Sequence, residues 1–142
     1  MSDISARDLN RYLVYLNRKR SQFMAEHLGG RGLIGPMYSF LLCLEKNPGI
    51  SQDFLVSYYS IDKGTVARLC KRLEGLGLIV RSISPDDRRV YQLELTAYGQ
   101  TVLLSIHQQL NEWSDRLLSG FSEEDRQIAY TLLKRMADNI SH

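Results

Sequence analysis

Apolar residues recur at three- and four-residue spacing along most of the chain, and the period changes to two between residues 78 and 95. Over residues 8–28, Leu9, Tyr12, Leu13, Leu16, Phe23 and Met24 mark a long first helix whose stripe has a gap at Arg20. Gly29, Gly30, Gly32 and Gly35 interrupt it, and Pro36 suits the first position of the next helix, where its missing N–H would be unbonded anyway. A second helix over residues 37–46 buries Met37, Phe40, Leu41 and Leu44, and Asn47, Pro48 and Gly49 stop it. Ser51 is placed to cap a short third helix, SQDFLVSY, with Asp53 near its positive end. Ser60 is then expected to cap a fourth helix with Asp62 in its first turn, leaving about three residues between the two.

The fourth segment, DKGTVARLCKRLEGL over residues 62–76, places Val66, Leu69, Cys70, Leu73 and Leu76 on one face. At about 100° per residue, Gly64, Arg68 and Lys71 point the opposite way, with Thr65 and Arg72 on one flank and Lys63 on the other. Alone, such a helix reads as an ordinary solvated amphipathic surface. Beside a short preceding helix and a tight turn it reads as the second helix of a helix-turn-helix, which enters the major groove. Gly77 ends it, and two alternating runs follow, Ile79/Arg81/Ile83 and Tyr91/Leu93/Leu95, joined by a polar, basic turn containing Pro85. That predicts a β-hairpin. Thr96 caps a long helix to residue 118 with Val102, Leu103, Ile106, Leu110, Trp113 and Leu117 on its stripe; Gly120 breaks it. Ser122 to Asp125 then resembles a capping box opening a last helix with Ile128, Leu132, Leu133, Met136 and Ile140.

Charge sharpens this picture. The chain of 142 residues carries a formal +2, but residues 62–89 hold seven Lys and Arg against four Asp and Glu, whereas residues 94–142 hold four against seven. The positive excess sits on the predicted helix-turn-helix and hairpin, where a polyanion would be met. Length and a 44% hydrophobic content support one fold unit with one core. Cys43 and Cys70 are far apart and on apolar helix faces, with neither disulfide nor zinc-ligand spacing. No apolar leader or membrane-length run occurs, so a cytoplasmic protein without a membrane partner is expected. His27, His107 and His142 are scattered, no catalytic triad or metal spacing is present, and the glycine-rich connection lacks the pattern of a nucleotide cradle. No catalytic residue, metal site or cofactor is assigned, and an enzyme is not expected.

The order of elements, and above all SIDKGTVARLCKRLEGLGLIVRSISPDDRRVYQLELTAYG from residue 60 to 99, resembles the MarR family of bacterial winged helix-turn-helix transcription regulators. Its most specific part is Leu73 and Glu74 through Gly77, Leu78 and Ile79, followed by Asp87, Arg88, Arg89 and then Leu95 and Thr96. The resemblance spans nearly the whole chain. It implies a mainly α fold with a small β-hairpin wing: a DNA-binding lobe over residues 33–96, and a helical dimerisation lobe from residues 1–32 and 97–142. The first, fifth and sixth helices of two protomers would interleave, and long terminal helices with apolar stripes need such a partner, most often in a two-fold dimer. The implied function is a homodimeric repressor on a pseudo-palindromic double-stranded operator.

By the same resemblance, Ser60, Asp62, Lys63 and Thr65 lie near DNA at the start of the reading helix, and Arg68 and Arg72 are the better candidates for base edges or flanking phosphates, since an arginine fork matches guanine O6 and N7. In the wing, Arg89 corresponds to the arginine that enters the minor groove, Asp87 orients the wing through a salt bridge, and Arg88 meets a phosphate. Many relatives bind a small aromatic or phenolic effector between the two lobes, and Tyr12, Tyr15, Tyr38 and His107 are the candidate lining. Two alternatives stay open at this point: a dimerising adaptor whose winged lobe binds protein, and a thiol-based redox regulator. The chain lacks the cysteine that redox-sensing relatives carry near the start of the first helix, which leaves only Cys70 on the reading helix for that role.

Overall fold

A computed structural model describes residues 5–141. It contains six α-helices, α1 (Ala6–Leu28), α2 (Met37–Lys46), α3 (Gln52–Tyr59), α4 (Lys63–Gly75), α5 (Ala97–Leu117) and α6 (Glu123–Ile140), and two strands, β1 (Ile79–Ile83) and β2 (Tyr91–Leu95), among the described residues. A single 3-10 turn, Gly29–Arg31, follows α1. The strands form an antiparallel hairpin in the register Ile79 to Leu95, Arg81 to Leu93 and Ile83 to Tyr91. The chain is therefore mainly helical with a hairpin wing, as the periodicity and the resemblance implied.

Two compact units divide the chain, residues up to 109 and residues from 110 onward. The core of the first is built where the apolar stripes converge: Met37, Phe40, Leu41 and Leu44 of α2, Leu55 of α3, Val66, Cys70 and Leu73 of α4, Ile79 and Leu93 of the hairpin, and Val102, Leu103 and Ile106 of α5 are all buried. Each large side chain so buried contributes about 1.5–3 kcal/mol of transfer free energy. Helix α1 joins this core only at its C-terminal end, through Phe23, Met24 and Leu28. The forward half of its stripe, Leu9, Tyr12, Leu13 and Leu16, is exposed. In the second unit α6 starts at Ser122, whose Oγ accepts the Asp125 N–H at 3.1 Å, and leaves Ile128, Leu132, Leu133, Met136 and Ile140 exposed.

Local chemistry fixes the boundaries. Pro36 precedes the first residue of α2, Asn47 closes it, and Gly49 turns with φ 79°. Ser51 caps α3 by accepting the Phe54 N–H at 3.1 Å. Gly77, with φ 76°, closes α4 while the Leu78 N–H reaches the Leu73 carbonyl at 3.0 Å, a left-handed helix closure that suits glycine. One expectation needs correction. Ser60 does not cap α4; it ends α3 in the left-handed conformation with φ 53°, and Asp62 is the capping residue. A left-handed residue reverses the chain between the two helices, so Ser60 cannot also hold the extended backbone that a helix-capping residue needs.

Candidate nucleic-acid interface

Helix α4 packs Val66, Cys70 and Leu73 inward, so Lys63, Arg68, Lys71 and Arg72 are left exposed on its other side. Its first turn is tightly organised. Asp62 accepts the Thr65 N–H at 2.9 Å through Oδ2 and the Thr65 hydroxyl at 2.7 Å through Oδ1. These bonds hold the Asp62 carboxyl below the usual carboxylate range. Arg68 then donates from Nη2 to the same Thr65 hydroxyl oxygen at 3.1 Å. Thr65 is thus a relay: its proton goes to Asp62 and its oxygen receives the guanidinium, which aims Arg68 along the exposed face. Lys63 stands 3.9 Å from Asp53 of α3, a solvated pair of little energetic weight.

The wing presents the second basic element. The Ser84 N–H bonds the Val90 carbonyl at 2.9 Å, and the Val90 N–H returns to the Asp87 carbonyl at 3.0 Å, closing the loop. Asp87 accepts three times from Arg89: from the backbone N–H at 3.0 Å, from Nε at 3.1 Å and from Nη2 at 3.2 Å. Those donors hold the Asp87 carboxyl below its ordinary range. The Arg89 side chain nevertheless remains 90% exposed, so the pair orders the guanidinium without hiding it. Arg88 is exposed beside it. A cleft of about 180 Å³ is lined by Lys63, Arg89, Asp53, Gln52, Ser51 and Tyr91 among others, so the start of α4 and the wing open onto one surface.

Arg81 carried no role in the sequence reading, yet it joins these parts. Its guanidinium donates to both carboxylate oxygens of Glu74 on α4 at 3.2 Å and to Gln52 Oε1 on α3 at 3.2 Å. The visible signal was a charge alternating with Ile79, which is buried, since a half-buried charge needs a partner.

The four proposed ligand-lining residues are not brought together. Tyr38 borders a cavity of about 490 Å³ with Arg20, Ser21, Met24 and Leu33. His107 borders another of about 360 Å³, where its Nε2 lies 2.8 Å from Glu45. Tyr15 faces a surface groove along α1, and Tyr12 is exposed with Arg11 over its ring at 5.1 Å. Both cysteines are buried, Cys43 at 8% exposure and Cys70 at 0%. Burial pushes both thiols up, Cys70 to about 11, which leaves little thiolate for oxidation.

Comparison with known proteins agrees with this geometry. A sequence pattern described as the MarR family matches residues 36–91. A Thauera aromatica protein named for regulation of the hcr operon is 33% identical over 74% of this chain and 63% of its own length. The HTH-type transcriptional regulator BilQ of Clostridium symbiosum is 31% identical over 80% of this chain and 79% of that protein. A crystal structure of a protein described as MarR superposes with TM-score 0.88 at 33% identity, covering 98% of this chain and 92% of that one. With the pattern, the sequence identity and the winged fold in agreement, this chain belongs to the MarR family of transcriptional regulators, which are not enzymes.

Proposed function

We propose that the protein is a homodimeric repressor that binds a pseudo-palindromic operator, α4 in the major groove and the wing in the adjacent minor groove, until a small effector releases it. The observation that carries this reading is the opening of Lys63 and Arg89 onto one cleft, with Arg68 and Arg72 exposed on the same helix as Lys63. In it, Arg68 and Arg72 reach bases or flanking phosphates, Lys63 and Arg88 meet phosphates, and Arg89 enters the minor groove, held in place by Asp87. Ser60 and Asp62 shape the turn and the first turn of α4, and Thr65 acts through Arg68.

Homodimer formation is supported by the exposed rows on α1 and on α6, each too apolar to remain in water on a stable regulator. The dimerisation lobe then takes residues 1–32 and 97–142, and the DNA-binding lobe residues 33–96. The effector reading rests on the cavity bordered by Tyr38 and Arg20, whose apolar walls and one fixed charge suit a small aromatic acid. An adaptor role is disfavoured by the exposed Arg88 and Arg89, for which protein binding offers no equal use, and a thiol switch by the buried Cys70.

The test is selection of bound duplexes from a random pool, followed by titration of the recovered duplex at fixed salt. Wild type is expected to bind with an affinity that falls steeply with salt. Arg89→Ala is expected to lose about 1–3 kcal/mol per half-site at an unchanged thermal midpoint. Recovery of no duplex, or unchanged affinity in Arg89→Ala, would overturn the reading.

A further inference from the structure

Between the base of the hairpin and its tip, one side chain bonds the wing to the reading helix among the described residues. Arg81 lies on β1 two residues after buried Ile79 and two before Ile83, which is 58% exposed. Its Nε and Nη2 take the two oxygens of Glu74 on α4, and Nη1 takes Gln52 on α3. The guanidinium also lies over the ring of Tyr91 on β2, 5.2 Å from its centroid. One planar group therefore touches α3, α4 and both strands. The bidentate geometry is one that lysine cannot reproduce. With the Arg81 side chain only 20% exposed, the pair is screened less than a surface ion pair.

Beyond Arg81 the wing fully buries no apolar side chain among the described residues up to Tyr91; Val90 is half-buried and only Ser84 is buried. Ile83 and Tyr91 face each other in register and are both largely exposed. Strand β2 has its own support, since Leu93 N–H bonds the Ile50 carbonyl at 2.9 Å and Gly49 N–H bonds the Leu93 carbonyl at 3.1 Å, but these bonds lead to the segment before α3 and not to α4. A two-stranded hairpin is marginal without such ties.

We propose that Arg81 is a positioning residue for operator recognition: clamping β1 to Glu74 and Gln52 fixes the angle between wing and reading helix. The inference rests on the regulator reading above. At about 3.3 Å per strand residue, the wing tip stands roughly 13 Å beyond the clamp, so a tilt of about 10° there displaces Arg89 by about 2 Å. A displacement of that size is enough to spoil a contact that must be held to about 0.5 Å.

The experiment uses full-length protein and the duplex recovered by wild-type selection. Arg81→Ala is expected to fold and to bind that duplex more weakly by about tenfold, with Arg81→Lys between it and wild type. The backbone amide of Ser84, which bonds the Val90 carbonyl across the wing at 2.9 Å, is expected to exchange faster in Arg81→Ala, while those of α2 do not change. Glu74→Gln is expected to weaken binding in the same direction and to add little in combination with Arg81→Ala. If Arg81→Ala fails to fold, Arg81→Lys and Glu74→Gln carry the test. Affinity within about twofold of wild type in the folded variants would overturn the proposal. So would an affinity loss without faster wing exchange, which would make Arg81 a direct DNA contact. Arg89→Ala run in parallel separates the two readings: if it weakens binding and the Arg81 and Glu74 variants do not, only the clamp falls.

Discussion

Gly99 offers a direct test of how the winged lobe is assembled. It lies in the first turn of α5, buried, and a Cβ added there would overlap the carbonyl oxygen of Leu78. That oxygen belongs to backbone and already accepts the Thr96 N–H at 3.1 Å, while the Thr96 hydroxyl donates to the Gly77 carbonyl at 2.6 Å and accepts the Gly99 N–H at 2.9 Å. No rotamer change can relieve the overlap; α5 must shift off the turn that follows α4. Overpacking of this kind costs about 1–3 kcal/mol, against which alanine returns up to about 1 kcal/mol of helix propensity. Gly99→Ala is therefore expected to lose about 1 kcal/mol net, seen as a drop of roughly 2–4 °C in thermal midpoint at fixed protein concentration. Gly75 is the internal control, being helical with nothing within 4 Å of an added Cβ. Gly75→Ala is expected to gain up to about 1 kcal/mol. If Gly99→Ala melts at or above wild type, the docking of α5 against Leu78 is not as close as described.

Further expectations concern the relay and the thiols. Thr65→Val should weaken binding to the selected duplex while Thr65→Ser preserves it, and adding Arg68→Ala to Thr65→Val should cost little beyond Arg68→Ala alone; additive losses would show that Thr65 acts independently of Arg68. Cys70 has a folded-state value of about 11 against an ordinary 9.0, so the folded state favours the neutral thiol. Its contribution is complete below pH 9 and is lost as the pH rises toward 11. Urea midpoints at pH 8 and pH 10.5 should therefore diverge more in wild type than in Cys70→Ala, and equal slopes would contradict the burial. Peroxide should leave duplex binding unchanged, whereas a reversible loss would return Cys70 to consideration as a sensor.

Much of the architecture was legible because short-range chemistry dictates it. Pro36, the Asn47, Pro48 and Gly49 stop, Ser51 and Gly77 each act within one turn of chain, and the helices and hairpin begin and end beside them. Ser60 misled because serine and aspartate two residues apart are both good caps, and what decided between them was the reversal of the chain. The stripe on α1 correctly marked a helix but not a buried face, because the surface that would cover Leu9, Leu13 and Leu16 is not supplied by the elements α1 packs on in its own unit. Arg81, Glu74 and Gln52 meet across three elements, and Tyr12, Tyr15, Tyr38 and His107 fall on separate surfaces. Neither outcome can be read from spacing along one helix.

The closure of Arg89 onto Asp87 has a thermodynamic consequence for the proposed operator complex. A free arginine on a loop tip must surrender its torsional freedom when it enters a groove; here folding has already restricted it. A guanidinium paired with its own carboxylate also carries little net charge, so it displaces fewer of the cations condensed on the duplex than a bare arginine would. Arg89 would then contribute affinity that varies less with ionic strength than that of Arg88, and the salt slope would register chiefly Arg88 and the cations of α4.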